Sequence, residues 1–325
     1  MKEATRESYG KTLLEIGEDK NVVVLDADVS SSTKTNIFAE KYPERFFNTG
    51  ISEADMVSQA AGFASEGKIV FVSSFAAFLV GRAYDQIRCS IAYSNMNVKL
   101  VATHSGLNVG EDGATHQMLE DIALTRALPN LEVYTASSSN ICKEIVRKIY
   151  EKEGPCYLRL YRGKTEELYD NLEENEILGA IETGMIGKGI KDKKLEEHKI
   201  ILITMGDMTE HVYNVQKRLE EEGIYALVID VFKLKPFNEL YLINILKNIG
   251  NSNIPIITIE DHSIYGGLNS IICETLSKHL PRKVYSMGMK EFGKSGNQED
   301  VLKYFKLDEE NIYKYCKKVS LNSKI

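Results

Sequence analysis

Residues 98–117 read VKLVATHSGLNVGEDGATHQ. The first five, apart from Lys99, are Val, Leu and Ala, the composition of a strand buried on both faces of a parallel sheet. The rest is polar. It holds two of the chain's six histidines, His104 and His116, with Asp112 between them. Gly106, Gly110 and Gly113 let its backbone turn tightly. In a parallel α/β sheet, ligands bind beyond the carboxyl ends of the strands. A buried strand that runs straight into a histidine-bearing loop therefore predicts an α/β fold with its site at that end.

Working outward, further Val-, Ile- and Leu-rich runs at 22–25, 69–72, 131–134 and 157–160 read as buried strands. An amphipathic stretch at 140–153 reads as a helix, capped by the polar side chains of 137–140 and ended by Gly154-Pro155. The strand–helix alternation implies a mostly parallel sheet with helices on both faces. Just past the strands come Asp26-Ala27-Asp28 with 30–33 (SSST), then 73–78 (SSFAAF), then the histidine loop. Acid, hydroxyl, aromatic and imidazole groups at neighbouring strand ends converge on one cleft. A zinc reading finds no HxxxH or cysteine partner.

After Lys164 the rhythm lapses. Residues 165–175 are polar and acidic, and glycines follow at 179, 184, 187 and 189; this reads as a linker with a small hairpin or loop. Strands at 199–204, 225–231, 255–260 and 283–287 then alternate with helices at 209–222, 240–249 and 267–280. The expected organisation is two α/β domains, 1–165 and 190–325, joined by a linker at 166–189. Each is a mostly parallel sheet flanked by helices.

Apolar residues make up 43% and charged residues 27% of the 325-residue chain, the balance of a soluble globular protein. The net charge is −7 and no Lys/Arg block stands out, which argues against nucleic acid as a partner. No apolar run approaches the ~20 residues of a membrane span. The N-terminal MKEATRESYG is polar and helical in character, unlike a signal peptide. Five scattered cysteines without CxxC or zinc spacing suit a reducing cytoplasm and argue against disulfides or a structural metal.

Four motifs share one resemblance. THSGLNVGEDGATHQ (103–117) followed by RALPNLEVYTASS (126–138) resembles the signature around the substrate-binding histidines of transketolases. RFFNTGISEADMVSQAAGFASEG (45–67) resembles the family's segment with the cofactor-activating glutamate, and ADVSSST (27–33) its loop after the first pyrimidine-domain strand. EDHSIYGGL (260–268) resembles a turn of the C-terminal domain. The likeness runs in order over nearly the whole chain. It implies the C-terminal part of a transketolase: a thiamine diphosphate pyrimidine-binding domain followed by the transketolase C-terminal domain.

By this resemblance Glu53 is the carboxyl that shares a proton with the aminopyrimidine, an arrangement that burial against an apolar ring favours. Phe75 and Phe78 match the stacking aromatics, and a stacked ring pair adds about 0.5–1.5 kcal/mol beyond burial. A further aromatic found in some members is Gly81 here. Asp28 and Val29 fall beside the cofactor. His104 and His116 match the residues that contact sugar hydroxyls and move protons, and Asp112 the acid that reads acceptor stereochemistry. Arg6, Ser32 and Arg162 match the phosphate clamp, with Arg159 a rival in the same strand. His262 is expected to be structural.

The metal-binding segment of thiamine enzymes, Gly-Asp-Gly with a spaced Asn, has no counterpart; Gly206-Asp207 is followed by Met208. The resemblance therefore implies a split enzyme. An N-terminal, diphosphate-binding subunit would hold Mg2+ or another divalent ion, and sites shared between chains suggest an α2β2 assembly acting on sugar phosphates. Two alternatives stay open. One is a deoxyxylulose-phosphate synthase or 2-oxoacid dehydrogenase type of thiamine enzyme, against which the Thr103-His104-Ser105 and Gly110-Glu111-Asp112 runs speak. The other is a non-catalytic regulatory homologue.

Overall fold

In the computed structural model, residues 2–188, 197–249 and 253–322 are described. The strand that opens the deciding stretch, Val98–Thr103, lies in the middle of a seven-stranded sheet. The sheet order is Lys233–Lys235, Glu132–Thr135, Cys156–Arg159, Val98–Thr103, Ile69–Phe75, Val22–Asp26, Phe46–Asn48. All neighbours are parallel except the first pair. Parallel register sets Asp26 beside Ser73 and Phe75 beside Thr103, so the polar strand ends lie side by side. Alternate residues of Val22–Asp26 enter opposite cores: Val22 and Val24 join one apolar cluster, Val23 and Leu25 the other. Burial on both faces is why these strands read as continuous apolar runs.

The second sheet has five strands in the order Val284–Met289, Ile256–Ser263, Ile200–Thr204, Ala226–Val231, Met185–Lys188, with only the last antiparallel. Two expectations are corrected here. The stretch read as a linker with a hairpin or loop carries the helix Glu174–Thr183 and the edge strand Met185–Lys188. Its acidic start is a capping box of Glu173 and Glu176, and Gly184 (φ 83°) closes the helix in left-handed backbone. Carboxylates that look like linker composition thus complement a helix N-terminus. Gly189 and the expected boundary beside it lie outside the described residues. Likewise Glu260, Asp261 and His262, expected at a turn, complete the buried strand Ile256–Ser263.

The two sheets interlock. Lys233–Lys235 leaves the second sheet to pair antiparallel with Glu132–Thr135, closing an edge of the first. Among the described residues, no helix is long and apolar enough to cross a membrane.

Candidate active site at the strand ends of the first sheet

Glu53 begins the helix Glu53–Ser65 directly after the edge strand Phe46–Asn48 and a Thr-Gly turn. Its side chain is 4% exposed, and Arg82 Nη1 donates to both carboxylate oxygens at 3.2 and 3.3 Å. Next to it, the strand Ile69–Phe75 passes into the helix Ala76–Gln86, which places Phe75 and Phe78 on successive sides of the junction. Their rings stack with centroids 5.9 Å apart. His104 stacks on Phe75 at 3.8 Å, and His116 meets Phe78 edge-on at 5.0 Å. A Cβ at Gly81 would meet nothing within 4 Å, so the rim there is open.

His104 is buried at the end of the central strand in left-handed backbone, φ 56°. Such a conformation is strained for a residue with a Cβ and is found where surroundings hold it in place. Its Nδ1 pairs with the Thr103 hydroxyl at 2.9 Å. Burial, aided by the positive charges of Arg6 and Arg162, pushes its pKa down to about 3. The imidazole is therefore neutral at physiological pH. His116 is half-buried, with Nδ1 2.9 Å from the Thr115 hydroxyl.

On the other flank a cavity of about 300 Å³ is lined by Arg6, Arg162 and Lys164, with Glu111 as its one acid. Arg6 donates to the Ser32 carbonyl at 2.8 Å, and its buried Nε has no partner among the described residues. Burial lowers the Arg6 pKa, and Arg162 adds to that. A pair of guanidinium groups, one with an unsatisfied donor, suits an oxyanion such as phosphate. Asn297 and Gln298 reach this wall from the second domain.

Asp28 (φ 64°) exchanges hydrogen bonds with Asn48: its N–H donates to Oδ1 at 3.1 Å, and Asn48 Nδ2 donates to its carboxylate at 3.0 Å. Asn48 also accepts from Gly50 N–H at 3.0 Å, which ties this loop to the segment carrying Glu53. Val29 N–H donates to buried Asp26 at 2.7 Å. Asp112 is exposed at the head of a short 3-10 turn.

Residues 1–167 match the family described as transketolase, pyrimidine binding domain, and residues 187–312 the transketolase C-terminal domain. The chain belongs to the transketolase family. A Methanocaldococcus jannaschii protein provisionally named a transketolase C-terminal section is 43% identical, over 95% of this chain and 94% of its own length. Transketolase-like protein 2 of Mus musculus is 35% identical over 95% of this chain, which spans only 47% of that protein. A solved split-gene transketolase, described as an inactive β4 tetramer, superposes with TM-score 0.83 at 39% identity, covering 97% of each chain.

Within this transketolase-type framework the structure brings together Glu53, Phe75, Phe78, His104 and His116, and gathers Arg6 and Arg162 at one cavity. Arg159, weighed as an alternative to Arg162, is fully buried: it binds Asp121 Oδ2 at 2.9 Å and the Asp261 carbonyl at 2.8 Å. His262 is also fully buried, accepting from Ile122 N–H at 3.3 Å. Four residues of the site went unread in the sequence: Arg82, Lys164, Asn297 and Gln298. Arg82 carried a signal, since it follows Phe78 by one helical turn; the two amides, far along the chain, carried none. Among the described residues no cluster of three His, Cys, Asp or Glu side chains suits a metal ion. A buried carboxylate beside a stacked aromatic pair does fit the aminopyrimidine of thiamine diphosphate.

Proposed function

We propose that this chain is the pyrimidine-binding subunit of a two-chain transketolase, which moves a two-carbon ketol unit from a ketose phosphate to an aldose phosphate. The observation that carries this reading is the order of groups along the strand ends of the first sheet. A buried carboxylate and paired aromatic rings lie at one end, a neutral buried histidine in the middle, and a guanidinium-lined cavity at the other. Thiamine diphosphate, when bound, supplies the carbanion chemistry. Glu53 shares a proton with its pyrimidine nitrogen, Phe75 and Phe78 wall the ring, and Asp28 and Val29 edge it. Neutral His104, together with His116, holds substrate hydroxyls and passes protons. Asp112 reads the acceptor's hydroxyls, while Arg6, Ser32 and Arg162 grip its phosphate.

An N-terminal subunit would hold the diphosphate and its Mg2+ in an α2β2 assembly. The name and inactivity of the split-gene β4 tetramer, and the half-length match to the mouse protein, support a missing half. Five free thiols suit a cytoplasmic setting. The test is to assay this chain, a diphosphate-binding transketolase chain of the same source, and their equimolar mixture with Mg2+ and thiamine diphosphate. Ketol transfer is expected from the mixture alone. Transfer by this chain alone, or pyruvate consumption in place of transfer, overturns the reading.

A further inference from the structure

We propose that Arg82 occupies the aminopyrimidine's place in the free subunit, and that the cofactor enters by displacing it from Glu53 and Phe78. This rests on the reading of Glu53 and Phe78 given above. The Arg82 guanidinium carbon lies 4.1 Å from the Phe78 ring centroid. The same side chain donates to both oxygens of Glu53, at 3.2 and 3.3 Å. A guanidinium is flat, delocalised and rich in donors, and it stacks on aromatic faces. Stacked on Phe78 while donating to Glu53, it makes the two contacts that an aminopyrimidine would make there.

The exposures of the two partners differ in the way a displaceable plug requires. The Glu53 side chain is 4% exposed and fixed in the wall, whereas that of Arg82 is 51% exposed. Arg82 can swing into solvent without uncovering core. Withdrawal of its charge with nothing in exchange would strand a buried carboxylate, which is costly. Exchange for a ring nitrogen avoids that cost when the carboxylate takes up one proton from solvent as the guanidinium leaves, and shares it with that nitrogen. The backbone also breaks its regular helix at the next residue, Ala83 (φ −106°, ψ 20°), and a π-helical stretch follows at Ile87–Tyr93. Such irregularities are common where a helix serves a site. Because Arg82 and the ring compete for one place, apparent cofactor affinity is the intrinsic affinity multiplied by the fraction of time that Arg82 is undocked.

The experiment titrates thiamine diphosphate, with saturating Mg2+, into the assembled two-chain complex by calorimetry, and follows association by stopped-flow fluorescence. Arg82→Ala is expected to lower Kd by about three- to ten-fold, through faster association with unchanged dissociation. Arg82→Lys keeps the charge but loses the flat face, and should fall between the two. The free Arg82→Ala subunit should melt below wild type, while the cofactor-loaded complexes melt together. Equal or weaker binding by Arg82→Ala would overturn the proposal and make Arg82 a permanent support of Glu53. A wild-type complex that binds no thiamine diphosphate would fail at the earlier step, removing the reading of the site and this inference with it.

Discussion

At the scale of single residues, His104 and Glu53 are the side chains whose chemistry depends most on their surroundings. His104 is kept neutral by burial beside two guanidinium groups, with its pKa near 3. It can therefore donate or accept toward a hydroxyl without carrying charge of its own. Glu53→Ala in the assembled complex should reduce turnover by on the order of 10²–10⁴-fold, with the circular dichroism and melting of the subunit close to wild type; near-normal turnover would remove Glu53 from the mechanism. Arg162→Ala should raise KM for phosphorylated acceptors well above its effect on unphosphorylated analogues, since only the former would use the guanidinium. An equal change for both would refute a phosphate contact. His104 was legible in the sequence because it directly follows a buried strand, whereas Glu53 and Arg162 were placed by the family resemblance. The same resemblance pointed to Arg162 and left Arg159 as a rival in the same strand. Strand alternation and burial, which send Arg159 into Asp121 and the Asp261 carbonyl, belong to the folded state.

At the scale of elements, the histidine loop is fastened to the second domain's strand Ile256–Ser263. Both carboxylate oxygens of Asp261 accept from Leu107 N–H at 2.9 Å. This closeness requires a glycine before it: at Gly106 (φ +73°) an added Cβ would lie 2.0 Å from Asp261 Oδ2. Gly106→Ala should cost about 2–4 kcal/mol in denaturant unfolding, from overpacking plus backbone strain. A loss below ~0.5 kcal/mol would show that the loop is not pinned there. His262, on the same strand, gives a pH prediction. It lies 3.6 Å from Asp121 Oδ1 and 3.8 Å from Glu260 Oε2, yet burial pushes its pKa down to about 4, with Arg159 adding to the shift. Between pH 6.5 and 4 the unfolded chain takes up a proton that the folded chain refuses. Stability contributed at this position is thus present above that window and lost as pH falls through it, by about 1.4 kcal/mol per pH unit at most. Unfolding midpoints at pH 7 and pH 5 should differ less in His262→Gln than in wild type; parallel losses would refute the assignment. Glu260, whose pKa burial raises to about 8, works in the opposite sense and is common to both proteins, so the comparison isolates the histidine.

At the scale of the whole molecule, the two domains are less separable than their alternating strands and helices suggest. Lys233–Lys235 completes the first sheet, and Asn108 donates to buried Asp207 at 2.9 Å across the junction. A fragment ending at residue 167 would expose the edge of Glu132–Thr135 and deprive Arg159 of a carbonyl partner. It should run as aggregates on gel filtration or melt well below the full chain; a monomer of unchanged melting temperature would show that the halves fold independently. By itself the sequence determined the strand and helix alternation, the polar strand ends, and the glutamate, aromatics and histidines placed there. The alternation, strand ends, aromatics and histidines are written in short windows, through periodicity, caps and glycines, and the glutamate through the family resemblance of its motif. Only the tertiary structure decided which arginine is buried, which residue stacks on Phe78 beside Glu53, and that Asn297 and Gln298 complete the cationic cavity. Such contacts join positions as far apart as Leu107 and Asp261, 154 residues along the chain. No local pattern of residues encodes a partner that only chain reversal and sheet packing bring near.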